Sequence, residues 1–144
     1  MSATVSVGDA IPPWRLDAVT PPRMQLMAAI LRDPNPIHWD RAEVAARGLG
    51  DRLINQGPTN VGYVCNALLS WAGPDCIRSL TVRFTSNVFD GESVVAGGVV
   101  SAVDGADPAS ATCDVWLRHD DGTTAVEGTA VVSLARLQHE REHA

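Results

Sequence analysis

An α+β domain, helices grouped in the first half and long antiparallel strands in the second, is what this 144-residue sequence predicts. Residues 57 to 72 carry a wide apolar stripe at helical spacing. Beyond residue 77 the chain alternates apolar and polar with a period of two. Asp-Gly dipeptides punctuate that alternating part. Long antiparallel strands that follow one apolar helix suggest a sheet curled around it, with the helix filling the concave face. The length fits one domain. It is expected over residues 1–137, with residues 138–144 forming a charged, disordered tail.

Along the chain, Thr20-Pro21-Pro22 is the first helix start, with Thr20 as N-cap and Pro21 in the first turn, where a missing N–H costs nothing. Met24, Met27, Ala28 and Leu31 then fall at helical spacing, which predicts an amphipathic helix over 21–32 that Pro34 stops. Asp40-Arg41-Ala42-Glu43 has the form of a capping box, and Gly48 should end the short helix behind it. Gly57-Pro58 opens the longest helix. Val61, Val64, Cys65, Leu68, Leu69 and Ala72 supply its stripe, and Gly73-Pro74 terminates it. Strands are expected over roughly 77–89, 92–103, 109–119 and 123–136. Asp90-Gly91, Asp104-Gly105 and Asp121-Gly122 would be the hairpin turns between them.

Composition narrows the function. All 11 basic residues are arginines, so neither a Schiff-base lysine nor a P-loop lysine exists. A net charge of −6 without a basic run argues against nucleic-acid binding. No apolar run approaches the roughly 20 residues that span a bilayer. Met1-Ser2-Ala3-Thr4 lacks the pattern of a signal peptide, which predicts a cytoplasmic protein. Cys65, Cys76 and Cys113 show no metal-type spacing and read as buried free thiols.

Residues 33 to 40, Asp33-Pro34-Asn35-Pro36-Ile37-His38-Trp39-Asp40, carry the chemistry. Each proline fixes its own φ and pushes its predecessor out of the helical region. The segment is therefore a stiff, extended turn presenting Asp33 and His38 from fixed positions, which is what an acid–base pair needs. The bland reading is a surface loop in which Asp33 caps a turn and His38 merely packs. Metal binding by Asp33, His38 and Asp40 is disfavoured because Asp40 has a capping role and no further ligand stands nearby.

The motif resembles the D-x-N-P-(I/L)-H-x-D signature of MaoC-like (R)-specific enoyl-thioester hydratases. The similarity continues through Ala42, Ala45 and Gly48, then Ile54-Asn55-Gln56-Gly57 leading into the long helix, and covers roughly residues 20–135. The stretch Ile54 to Arg83, with Trp71-Ala72-Gly73-Pro74 and Ser79-x-x-x-Arg83, is similar to small subunits of actinobacterial steroid side-chain hydratases. The resemblance implies a hotdog fold, an acyl-CoA or acyl-carrier-protein thioester substrate, and no cofactor. It implies a homodimer, or a heteromer with a related hotdog subunit.

By position it implies catalytic roles for Asp33 and His38 on water and protons, giving a (3R)-hydroxyacyl product. It gives Gly57 the backbone N–H that binds the thioester oxygen. That last role has an independent rationale, since the first N–H groups of a helix are unpaired and carry partial positive charge. Gly57 could equally be a simple helix-start glycine. Asn35, Trp39 and Gln56 are the candidate substrate-binding residues. Asn35 either orients the pair or braces its turn. Trp39 is a candidate pocket wall. Gln56 stands where the family has histidine, and could meet the thioester, meet the loop, or alter substrate choice. Arg78 and Arg83 could meet CoA phosphates, or lie on a solvated strand face. His119 is expected in an exposed loop; His139 and His143 belong to the tail and are excluded.

The leading reading is an enoyl-thioester hydratase or dehydratase of acyl, steroid or polyketide metabolism. The alternative is a non-catalytic thioester-binding or scaffolding subunit, kept open by Gln56. A hotdog thioesterase ranks third, because residues 57–72 contain no Asp or Glu to activate water.

Overall fold

A computed structural model describes residues 4–106 and 109–142; the expectations for Met1 to Ala3 and for His143 lie outside them. The elements are β1 (Ala10–Leu16), α1 (Pro21–Leu31), α2 (Arg41–Ala46), α3 (Gly57–Ala72), β2 (Ile77–Phe84), β3 (Val94–Asp104), β4 (Ser110–His119), β5 (Thr124–Ser133) and α4 (Ala135–Glu142). Five antiparallel strands form one sheet in the order β1-β3-β4-β5-β2. The sheet wraps α3, and the two together are the hotdog arrangement. Val64, Ala67, Leu68 and Ala72 of α3 pack with Val94, Ala96, Val100, Cys113, Val115, Leu117, Ala130 and Val132 in one core. The buried stripe of α3 runs Asn60, Tyr63, Val64, Ala67, Leu68, Ala72, so it is rotated from the expected one. Val61, Cys65 and Leu69 are only half-buried, and two polar residues enter it.

Several local expectations need correction. Pro21 begins α1, but the Thr20 side chain makes no capping hydrogen bond. Nor is α1 packed as an amphipathic helix: Met24 alone is buried, while Leu26 and Ile30 are 60% and 62% exposed. Asp40 Oδ1 accepts from the N–H groups of Ala42 (2.9 Å) and Glu43 (3.4 Å), yet Glu43 does not reach back. Its carboxylate lies 3.5 Å from Arg47 instead, so half of the capping box forms.

β1 escapes a pattern reading because Pro12 and Pro13 sit inside it. Proline is tolerated on an edge strand or a bulge, and β1 is both: it pairs only with β3, with a register shift between Ile11 and Trp14. Asp90-Gly91 is not a hairpin turn. β2 crosses to the far edge beside β5, so residues 85–93 form a crossover and the expected strand 77–89 stops at Phe84. The pairing of β3 with β4 and of β4 with β5 places Asp104-Gly105 and Asp121-Gly122 in hairpin connections. Gln138–Glu142, expected as a frayed tail, continue α4, where Arg136 and Glu140 pair at 3.1 Å.

Gly128 shows how tightly the sheet curls. A Cβ there would lie 2.0 Å from the Thr81 carbonyl oxygen and 2.8 Å from Val82 Cα, closer than any side chain allows. Gly62, inside α3, has open space around its missing Cβ. Gly128→Ala should therefore destabilise by at least about 1–3 kcal/mol, the range for overpacking. Gly62→Ala should stabilise by roughly 0.5–1 kcal/mol through lower unfolded-state entropy. Urea unfolding of both variants checks this; wild-type stability for Gly128→Ala would contradict the close approach of β2 and β5.

Candidate active site

The acid–base pair hangs from the end of α1. Arg32 adopts a left-handed conformation (φ 51°), donates its N–H to Ala29 O, and turns the chain so that Asp33 N–H returns to Ala28 O at 2.9 Å. A non-glycine residue there is strained, and it lies next to Asp33. Pro34 and Pro36 stiffen the turn beyond it, but the segment is not extended throughout: Pro36–His38 form one 3-10 turn. Asn35 caps that turn, its Oδ1 accepting from Ile37 N–H (3.4 Å) and from Arg47 (3.2 Å). Asn35 thus acts here as the brace of the turn.

Donor and acceptor logic fixes the pair. His38 is buried, and its Nδ1 lies 2.5 Å from the carbonyl of Ile54. A carbonyl only accepts, so Nδ1 carries a hydrogen. Nε2 then faces Asp33 Oδ2 at 3.1 Å. At that distance a proton can pass directly between the ring and the carboxylate. The other Asp33 oxygen accepts from Asn35 N–H at 3.0 Å, so the carboxylate is aimed as well. The Asp33 side chain keeps 29% exposure against 7% for His38, so solvent reaches the pair mainly at the carboxylate.

Ile54 also ties this pair to the start of α3. It begins the segment Ile54-Asn55-Gln56-Gly57, held from the other side by the crossover: Asn55 N–H donates to Val88 O (2.7 Å), and Ile54 bridges Phe89. Gly57 N–H, at the first position of a 16-residue helix, has no hydrogen-bond partner among the described residues. The Phe84 ring stands over it, with Cζ 3.1 Å from where a Gly57 Cβ would lie. Phe84, itself 56% exposed, is a wall that the sequence did not mark as part of the site.

Gln56 is fully buried; its Nε2 donates to Met24 O at 2.8 Å, and its Oε1 has no partner among the described residues. It bolts α1 onto the start of α3 and does not line an open pocket. Asn55 continues this polar layer, donating to Asn60 Oδ1 (2.8 Å) and Tyr63 Oη (3.3 Å). Burial pushes the Tyr63 hydroxyl upward from its usual range, and its ring stacks on Trp14 at 5.4 Å.

Trp39 directly follows His38 and is 39% exposed. Arg83 is committed to Glu127 and Arg78 to the carbonyl of Asp75. Burial pushes the Cys113 thiol up to about 11 and raises Cys65 and Cys76, so all three are poor nucleophiles. Among the described residues no group of His, Cys, Asp and Glu is placed to hold a metal ion, and no helix is long and apolar enough to cross a membrane. His119 departs from its expected exposed loop: it ends β4, and its side chain is 12% exposed.

Solved structures resemble the chain over most of its length. No curated protein sequence matches it significantly. A crystal structure of the ChsH1-ChsH2 complex from Mycobacterium tuberculosis includes a chain 27% identical, with a TM-score of 0.78, covering 90% of this chain and 98% of that one. The (R)-hydratase from A. caviae involved in PHA biosynthesis is also 27% identical, with a TM-score of 0.81 over 91% and 98% of the two chains. An R-hydratase from Pseudomonas aeruginosa, 23% identical with a TM-score of 0.78 over 91% and 83%, shares the fold. The profile of the MaoC like domain matches residues 7–115, taking in the Asp33–His38 turn, Gly57 and the sheet as far as β4, and the chain belongs to that family.

Proposed function

We propose that this chain adds water across the double bond of an α,β-unsaturated acyl-CoA, or removes it, with a (3R)-hydroxyacyl thioester as the hydrated partner. The observation that carries this reading is the 3.1 Å contact between Asp33 Oδ2 and His38 Nε2, with Nδ1 tied back to Ile54. In hydration the pair takes a proton from water as its oxygen bonds to Cβ, and returns a proton to Cα. The negative charge that develops on the thioester oxygen is met by the free N–H of Gly57. The similarity to the A. caviae (R)-hydratase supports the stereochemical assignment.

Asp33→Asn and His38→Ala should each lower hydration by at least about 10²-fold while the proteins stay folded by circular dichroism. Loss of conjugated enoyl absorbance in a series of enoyl-CoA thioesters of increasing size measures this. Near-normal rates in either folded variant would transfer support to a non-catalytic, scaffolding subunit.

Gly57→Val tests the oxyanion donor separately. The added carbons press on an exposed aromatic ring that can swing aside, so stability should fall only modestly. Turnover should fall steeply, because the branched side chain covers the N–H. Full activity would remove Gly57 from the site.

The active form pairs with a second hotdog chain, identical or related. Leu26 and Ile30 of α1 and Phe84 of the edge strand β2 lie open, and the ChsH1-ChsH2 structure holds two different proteins. Sedimentation of active protein should show a species of at least twice 15.3 kDa; a stable active monomer would contradict the pairing.

A further inference from the structure

One cluster of nucleophilic and titratable side chains has no part in hydration. It lies where the 85–93 crossover meets the end of β4. His119 Nδ1 is 3.2 Å from Glu92 Oε2, and His119 Nε2 is 2.9 Å from the Ser86 hydroxyl. The His119 and Glu92 side chains are 12% and 25% exposed, whereas Ser86 is exposed. We propose that Ser86, His119 and Glu92 form a second, nucleophilic site that accepts the acyl group of a small neutral carboxylic ester or thioester.

The roles rest on what each atom can donate. A carboxylate only accepts, so Nδ1–H points at Glu92 and the Nε2 lone pair faces the Ser86 hydroxyl. Serine is a weak nucleophile until an adjacent base takes its proton, and a third group must hold that base. Glu92 is itself held: Oε2 accepts from Phe89 N–H at 2.9 Å, and Oε1 lies 3.6 Å from Arg52. The Ser86 hydroxyl has two acceptors within reach, His119 Nε2 and Thr124 O (3.0 Å), whose second lone pair takes the Thr85 hydroxyl at 2.6 Å; the hydrogen is available to the imidazole when it swings from Thr124. The next residue, Asn87, has a backbone N–H with no hydrogen bond among the described residues. The N–H that follows a serine nucleophile is a recurrent oxyanion donor.

The surroundings select the acyl donor. A depression of about 290 Å³ beside the cluster is lined by Gly91, Glu92, Ser93, His119, Asp120 and Asp121. Of its three carboxylates, Asp120 is paired with Arg15 (3.1 Å) and Glu92 lies 3.6 Å from Arg52, which leaves a net acidic lining around Asp121 and favours a neutral ester over a nucleotide-bearing thioester. In the acylation step the Ser86 proton moves to His119 Nε2 as the Oγ–C bond forms. The C–O or C–S bond then breaks, and the imidazolium proton leaves with the alcohol or thiol. Water attacks the acyl-serine by the same route, releasing the acid and restoring Ser86.

The test is reaction of the whole protein with a fluorophosphonate and with p-nitrophenyl acetate, followed by site mapping by mass spectrometry. Ser86 should be modified at least about 10²-fold faster than Ser70 and Ser79, exposed serines in the same molecule, a factor typical of base assistance. His119→Gln, which keeps a polar group but no base, should remove most of that advantage. Modification of Ser86 no faster than Ser70 and Ser79, or equally fast in folded His119→Gln, would overturn the proposal. The comparison among serines needs no variant, so it decides the matter even if His119→Gln does not fold. Asp33 and His38 take no part, so the result stands apart from the hydration reading.

Discussion

The hydrogen bond from His38 Nδ1 to the carbonyl of Ile54 is the constraint on which the rest of the site depends. It is buried, so its loss would strand a polar group on each side at a cost of roughly 1–3 kcal/mol. It also carries chemical information. By fixing the hydrogen on Nδ1 it leaves Nε2 to face Asp33, and without it the ring could present either nitrogen. Because Ile54 leads into the start of α3, the same bond holds the acid–base turn in register with the helix N-terminus that offers Gly57 N–H. Proton transfer and oxyanion stabilisation are thereby positioned by one short stretch of backbone.

That stretch is itself clamped between two elements. On one side stand the stiff Pro34–Pro36 turn and the buried Gln56, whose amide holds α1 through Met24 O. On the other runs the 85–93 crossover, which receives Asn55 N–H at Val88 and sets Asp90 against Leu53 N–H and Arg41. The crossover exists because β2 pairs with β5 and not with β3, so the chain must pass along the outside of the segment leading into α3. The topology that closes the sheet is also what fastens the site. It brings Ser86 and Glu92 to His119 at the same time.

The parts legible in the sequence are those written in local spacing. The Asp33–His38 turn, the span of α3 and the alternation in β3 to β5 are set by residues within a few positions of one another. The features hidden from a reading of the chain are set by distant partners. β1 hides behind Pro12 and Pro13, which only its edge position makes acceptable. Asp90-Gly91 has the composition of a hairpin turn, but which strand β2 joins is decided by packing around α3. Gln56 has the place of a substrate contact in the motif, and only the fold shows it fully buried. Phe84 and His119 give no local signal, since each matters through a residue more than twenty positions away.

The most direct test of this arrangement is the protonation of the His38 ring, read by nitrogen-15 NMR in wild-type protein and in Asp33→Asn. The structure predicts a hydrogen on Nδ1 in both. In Asp33→Asn the ring should still carry its hydrogen on Nδ1, held by the Ile54 carbonyl. A neutral ring in Asp33→Asn with its hydrogen on Nε2 would contradict the role given to Ile54, and with it the geometry of the acid–base pair.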